Sequence, residues 1–217
     1  MKTGILFDLD GTLLDTLQDL TDAVNYTLEY YHCPTRTPRE VCSYVGNGIV
    51  KLMELALPGL DTDPDLDQVV ATYRAYYTAH DKVKTCPYDG ILDALAELRR
   101  DYPVAVVSNK PDSSTKPLCR LFFGEDIYAL GQVADCPRKP APDMLYKAME
   151  AIGVDKCIYV GDTEVDILTA KNAGVPCLTV LWGFRDKDYL QEQGATRFCD
   201  DPAKLPAMLK EMIENGQ

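Results

Sequence analysis

The chain has 217 residues, 46% of them hydrophobic and 26% charged, and its formal net charge is −12, from 22 basic and 34 acidic side chains. That length carries one ordinary domain, or a main domain with a smaller insertion, around a substantial core. The acidic surplus argues against nucleic acid as a partner and leaves any anionic substrate to be drawn in locally, by a cation or by directed N–H groups.

Eight cysteines (Cys33, Cys42, Cys86, Cys119, Cys136, Cys157, Cys177 and Cys199) are scattered without CxxC spacing, so they read as small core residues and not as a zinc or redox pair. No apolar run reaches the ~18 residues of a membrane span. Met1-Lys2-Thr3 leads straight into a strand with no signal pattern. A reduced, cytoplasmic protein without a membrane partner is therefore expected. The sequence sets no oligomeric state.

In chain order, the first apolar run is GILFDL (4–9), closing on Asp8-Leu9-Asp10-Gly11-Thr12. The next confident strand, VAVVSN (104–109), lies nearly a hundred residues further on, where a βαβ crossover takes about thirty. The surplus reads as an insertion, and its pattern is helical. Leu17, Leu20, Val24, Leu28 and Tyr31 form one stripe. Ile49, Leu52, Met53 and Ala56 form a second, and Leu66, Val69, Val70, Tyr73 and Tyr77 a third, with Pro34, Pro38, Pro58 and Pro64 between them. Residues 16–82 are expected to make a helical cap domain, and 1–15 with 83–217 an α/β core. Hinges are expected at Asp15-Thr16 and within 82–88, which suits a lid. Helices follow over 91–100 and 142–152, the latter stopped by Gly153. Strands CIYVGD (157–162) and CLTVLW (177–182) complete the alternation. Strands alternating with helices predict a doubly wound, mainly parallel Rossmann-like sheet, with its chemistry at the carboxyl ends of the strands.

Those ends carry Asp8 and Asp10, then Ser108-Asn109, then Gly161-Asp162-Thr163 with Asp166, while a loop supplies Lys139. Four carboxylates brought within several ångströms repel by several kcal/mol at an effective dielectric of about 20. Lys139 returns only one positive charge, so a divalent cation is needed. All-oxygen ligands suit Mg²⁺, which keeps positions for substrate oxygens. Beside it, Asp8 can serve as a nucleophile on phosphorus and Asp10 as a general acid and base.

With these residues in place the chain resembles the haloacid dehalogenase superfamily of phosphatases. The match rests on DLDGT (8–12), SN (108–109), KPAPD (139–143) and GDTEVD (161–166), in that order. A D-x-D-G-T match alone arises by chance in on the order of a few per thousand chains this long. The resemblance implies an aspartyl-phosphate on Asp8, which also ligates Mg²⁺, with Asp10 offering its backbone carbonyl to the metal as well as its carboxyl to the substrate. It makes Ser108, Asn109 and Lys139, with Gly11 and Thr12, the phosphate-binding set. Asp162 becomes a direct metal ligand, with Asp166 acting through water or at one remove. A carboxylate at Asp10 separates phosphoryl transfer from the superfamily's dehalogenases, which lack it. The insertion is similar to the four-helix type of cap. Within it, SYVGNGIVKL (43–52) is similar to the substrate loop of phosphoglycolate phosphatases, implying that Gly46, Asn47, Gly48 and Lys51 meet a small carboxylate.

The expected activity is thus Mg²⁺-dependent hydrolysis of a small phosphorylated metabolite, 2-phosphoglycolate first. Return of the phosphoryl group to a sugar, as in beta-phosphoglucomutases, and hydrolysis of inorganic pyrophosphate stay open. A non-catalytic binding protein ranks last, because Asp8 and Asp10 are both present. Simpler roles compete at some positions. Asp166 can merely stabilise a helix N-terminus, and the VGNG glycines can be helix punctuation. His32 and His80 read as surface residues, Tyr73, Tyr76 and Tyr77 as cap packing, and Trp182 and Arg185 as a surface loop after a strand end, with a role at the edge of the site as the alternative.

Overall fold

The computed structural model describes residues 2–59 and 64–216. Positions 1 and 217, assigned above to the core, and 60–63, assigned to the cap, lie outside them. The chain opens with β1 (Thr3–Phe7) and β2 (Leu14–Asp15), then runs through α1 (Leu17–Tyr30), α2 (Pro38–Tyr44), α3 (Gly48–Ala56) and α4 (Leu66–His80). It continues as β3 (Cys86–Pro87), α5 (Ile91–Asp101), β4 (Val104–Pro111), α6 (Asp112–Phe123) and β5 (Tyr128–Gln132). The last part is α7 (Asp143–Ala151), β6 (Lys156–Gly161), α8 (Glu164–Ala173), β7 (Cys177–Val180), α9 (Lys187–Glu192), β8 (Phe198–Cys199) and α10 (Leu205–Glu214). Two compact units result, one of Met1–Asp15 with Pro87–Gln217 and one of Thr16–Cys86.

The larger unit is built on a six-stranded sheet of order β5-β4-β1-β6-β7-β8. Its registered pairs are parallel, with β1 at the centre: Ile5 lies opposite Val104 of β4 and Ile158 of β6. From β1 the chain winds out through β4 to β5 on one side. It then returns across β1 and winds out through β6, β7 and β8 on the other. That reversal leaves a crevice at the carboxyl ends of β1, β4 and β6, the usual place for a ligand in an open α/β sheet.

Both faces of the sheet are covered, which is why its strands read as unbroken apolar runs. Ile5, Phe7, Val106, Ile158, Val160 and Leu178 pack on one face under Leu95 and Leu98 of α5, Leu118 of α6 and Leu209 of α10. Leu6, Ala105, Val107, Cys157 and Tyr159 take the other face, against Met144, Leu145 and Ala148 of α7. The alternation of odd and even strand residues between the two clusters is the period of two that a strand imposes. The architecture is the doubly wound α/β sheet that the alternating pattern required.

The smaller unit is helical among its described residues. Its α1 buries Leu20, Ala23, Val24 and Leu28, and its α4 buries Val69, Val70, Tyr73 and Tyr77. The Tyr73 and Tyr77 rings stack 5.5 Å apart, and Tyr76 stacks on Tyr26 at 3.9 Å. One helix there had no apolar stripe to announce it: α2 buries Val41 alone. It is started by a capping box, in which the Thr37 hydroxyl accepts from the Glu40 N–H at 3.3 Å and the Glu40 carboxylate accepts from the Thr37 N–H at 2.8 Å. Pro38 then takes the first turn, where its missing N–H costs nothing.

Candidate active site

The backbone of β1 runs to Asp8, whose N–H donates to the Val160 carbonyl at 2.8 Å and aligns the end of β1 with that of β6. A tight turn follows. The N–H groups of Leu13 and Leu14 both reach the Leu9 carbonyl, at 2.9 and 3.0 Å, and the Gly11 N–H reaches the Leu14 carbonyl at 2.9 Å. Gly11 adopts φ +83° in this turn, a conformation that glycine takes without strain.

Lys139 joins the strand ends electrostatically. Its Nζ lies 2.9 Å from Asp8 Oδ1 and 2.8 Å from Asp166 Oδ1, with the lysine side chain only 2% exposed. The Tyr159 hydroxyl on β6 accepts from Lys139 at 2.8 Å and donates to Asp166 Oδ1 at 2.9 Å. Asp166 Oδ2 accepts from the Thr163 hydroxyl at 2.8 Å, the Thr163 N–H at 3.1 Å and the Asp162 N–H at 3.3 Å. Asp162 takes the Thr12 hydroxyl on Oδ1 at 2.9 Å and the Phe184 N–H on Oδ2 at 2.8 Å. The main-chain carbonyl of Lys139 accepts from the Asn109 side-chain amide at 2.9 Å, which ties the lysine's loop to the end of β4.

Carboxylate oxygens of Asp8, Asp162 and Asp166 lie within 4.8 Å of one another, and all three residues are buried. Their charges are unevenly compensated. Burial pushes Asp166 upward, but Lys139 and the bonds from Lys139, Thr163 and Tyr159 hold it below the usual carboxylate range. Asp8 is pushed up to about 7, chiefly by burial and against the pull of Lys139. Asp162 rises well above its ordinary value through burial and the charges of Asp166 and Asp8. Burial works against the ammonium of Lys139, but Asp166 and Asp8 outweigh it and raise the lysine. Asp166 is therefore a satisfied anion that orients its neighbours, whereas Asp8 and Asp162 crowd negative charge that one lysine does not offset. Three converging hard oxygen donors with a surplus of negative charge fit a divalent cation of the Mg²⁺ kind.

Asp10 stands apart from that cluster. Both of its carboxylate oxygens face Lys110 Nζ, at 2.9 and 3.2 Å. Ser108, on the same strand, accepts from the Lys110 N–H at 3.2 Å. Gly46, Asn47, Gly48 and Lys51 belong to the smaller unit, so the site built here on the larger unit does not include them. Gly46 and Gly48 have φ +124° and +80°, Asn47 precedes the first turn of α3, and Lys51 pairs with Glu54 at 3.0 Å.

Sequence reasoning missed three contributors and ranked a fourth as surface loop. Lys110 directly follows Ser108-Asn109 at a strand end facing carboxylates, and the shortage of positive charge was the signal for it. Tyr159 looked like one more apolar strand residue. Phe184 acts through its backbone, which no side-chain pattern reveals. Trp182, read as a loop residue, donates from its indole N–H to the Thr12 carbonyl at 3.0 Å. Beside it, Arg185 pairs with Glu164 at 3.0 Å.

Fold and site together place the chain among α/β proteins with buried carboxylates gathered at the ends of parallel strands. The chain belongs to the haloacid dehalogenase-like hydrolase family, whose pattern matches residues 5–180. It is a phosphatase-type enzyme, a phosphoric monoester hydrolase. Among its relatives is a phosphoglycolate phosphatase of Neisseria meningitidis, 34% identical over 224 aligned residues that span 99% of this chain and 93% of the relative. A phosphoglycolate phosphatase of Aquifex aeolicus is 33% identical over 83% of this chain and 85% of its own. A solved structure from Lactobacillus delbrueckii subsp. bulgaricus superposes with a TM-score of 0.89 at 36% identity, covering 96% of this chain and 99% of that one. None of the described helices is long and apolar enough to cross a membrane.

Proposed function

We propose that this chain hydrolyses a small phosphate monoester, 2-phosphoglycolate first among candidates, through an aspartyl-phosphate formed on Asp8. The observation that carries the reading is the buried Asp8–Asp162–Asp166 cluster with Lys139 inserted between Asp8 and Asp166. Asp8, Asp162 and the backbone of Asp10 would hold Mg²⁺, with Asp166 supporting them through Lys139 and the 162–163 backbone. When bound, the ion neutralises the crowded carboxylates and the phosphoryl oxygens, so that two anions can meet.

In the first step a carboxylate oxygen of Asp8 bonds to phosphorus, and the ester P–O bond breaks. Asp10 gives its proton to the departing oxygen, which leaves as the alcohol. In the second step Asp10 takes a proton from water, whose oxygen bonds to phosphorus. The acyl P–O bond then breaks and inorganic phosphate leaves, with Asp8 restored. Ser108, Asn109, Lys139 and the backbone at Gly11 and Thr12 bind the phosphoryl oxygens through these changes, with Lys139 also steadying Asp8.

The choice of substrate is supported by the relatives, phosphoglycolate phosphatases that match 99% and 83% of this chain. The helical unit is read as a cap, in which the N-terminus of α3 and its positive-φ glycines offer N–H groups to the substrate carboxylate. Cytoplasmic placement is supported by the buried free thiols Cys119, Cys136 and Cys157, which suit a reducing compartment. The test is phosphate release from 2-phosphoglycolate, hexose phosphates and pyrophosphate, with Mg²⁺ and with EDTA. Selective, EDTA-sensitive release from 2-phosphoglycolate, abolished in a folded Asp8→Asn variant, is the expected result. Turnover by Asp8→Asn at the wild-type rate would sink the mechanism. A preference for pyrophosphate or a sugar phosphate would discard the substrate while keeping the site.

A further inference from the structure

Two buried lysines take three of the site's four carboxylates between them. Lys139 takes Asp8 and Asp166, while Lys110 takes Asp10. The Lys110 side chain is 3% exposed and that of Asp10 is 13% exposed, so water competes weakly for the pair. Its geometry is forked: one ammonium spans both oxygens, which fixes the direction of the carboxyl plane as well as its distance. The lysine is itself anchored at its backbone. Its N–H donates to the Ser108 hydroxyl at 3.2 Å, and its carbonyl accepts from the Thr115 hydroxyl, also at 3.2 Å. The same short segment thus carries a hydroxyl of the phosphate-binding set and the counter-ion of Asp10.

We propose that Lys110 is a positioning residue that holds the Asp10 carboxyl on the β4 side of the site, where the leaving oxygen departs and the attacking water arrives. This rests on the phosphatase reading above, in which Asp10 moves the proton. Without the ammonium, the Asp10 carboxyl would lose the forked pair that directs it and would turn away from the reacting oxygens. Lys110 exchanges no proton in either step. Its effect therefore falls on reactions that need the Asp10 proton and spares those that do not.

Leaving groups separate these cases. An alkyl monoester such as 2-phosphoglycolate expels a strongly basic oxygen and needs the proton, whereas p-nitrophenyl phosphate expels a stable phenolate. For Lys110→Met, kcat/KM with the alkyl ester is expected to fall about a hundredfold, within the usual range for losing general acid catalysis. With the aryl ester kcat/KM should fall less than about threefold. A burst of nitrophenolate, one per enzyme, should then appear as phosphorylated Asp8 waits for its water. Lys110→Arg should recover most of the alkyl activity. Equal losses with the two esters, or no loss with either, would overturn the proposal.

A charge left unpaired can unfold the variant, so a double substitution provides a second route. Asp10→Asn with Lys110→Met removes both charges and should match Asp10→Asn alone on the alkyl ester. A further hundredfold loss would show that Lys110 acts through something other than Asp10. An Asp8→Asn protein that still turns over either ester, or a wild type that hydrolyses neither, would instead bring down the phosphatase reading and this proposal with it.

Discussion

Asp162 sits in a slot that two glycines keep open. A Cβ on Gly183 would run into the Asp162 side chain and the Gly11 carbonyl oxygen, and one on Gly11 would meet the Asp162 carboxylate. The carbonyl is main chain inside a tight turn, so it cannot rotate away as a flexible side chain would. Gly183→Ala is therefore expected to cost about 1–3 kcal/mol, the range for overpacking a close-packed site, read as a lowered urea midpoint. It should also displace a carboxylate of the proposed metal set. In the wild type Mg²⁺ should raise Tm over an EDTA control, because an ion that binds only the folded state stabilises it. Gly183→Ala should lose most of that rise. A variant with wild-type stability and an undiminished response to Mg²⁺ would show that the slot is looser than these contacts require.

Elements differ in how plainly the sequence announces them, and the differences have physical causes. Strands β1, β4, β6 and β7 were legible because both faces are covered and each carries a run of buried apolar residues; α1, α3 and α4 showed stripes because one face of each meets water. Helix α8 showed none, since Val165, Ile167, Thr169 and Ala170 are all buried and spread around it. Pro117 lies inside α6 and obscured that helix, and β8 spans only two residues. In the site, charged residues in fixed spacing were readable, while Lys110 and Tyr159 were hidden in strands and Phe184 contributes only an N–H. One tie invisible to pattern is Asp19 on α1, which is 3% exposed. Its carboxylate accepts from the N–H groups of Val83, Lys84 and Thr85, at 2.9 to 3.0 Å, and from the Thr85 hydroxyl at 2.8 Å. Removing this acceptor strands the buried Thr85 donors at about 1–3 kcal/mol each, or more where a charge is involved, and frees the part-buried N–H groups of Val83 and Lys84. Asp19→Ala should therefore raise amide exchange at residues 83–85 by at least tenfold, with smaller changes at 104–107 in the sheet. Unchanged exchange at 83–85 would mean that those donors find other partners.

At the scale of the molecule, each of the two cores of the larger unit holds buried thiols, and one from each reports on whether the unit unfolds as one. Cys119 lies in the cluster under α5, α6 and α10, and Cys157 in the cluster under α7. Both are buried, and burial pushes each thiol up to about 12. At pH 8 such a thiol is almost wholly protonated, and the thiolate is the reactive form, so labelling requires unfolding. Because the two clusters share strands β1, β4, β5 and β6 as a common wall, losing one strips support from the other, and cooperative loss is expected. Pulse labelling along a urea series should show Cys119 and Cys157 reacting with one midpoint, while exposed Cys86 reacts already in the native protein. The same thiols give an alkaline signature. Unfolded thiols ionise near 8.5, whereas the folded ones resist to about 12. The native state therefore holds more protons across that window, and stability falls as pH rises through it. Replacing both cysteines by alanine should make the decline in urea midpoint between about pH 8.5 and 11 shallower, with Cys177, which burial also pushes up to about 12, keeping its share. Two separated labelling midpoints would show instead that the faces of the sheet come apart one at a time.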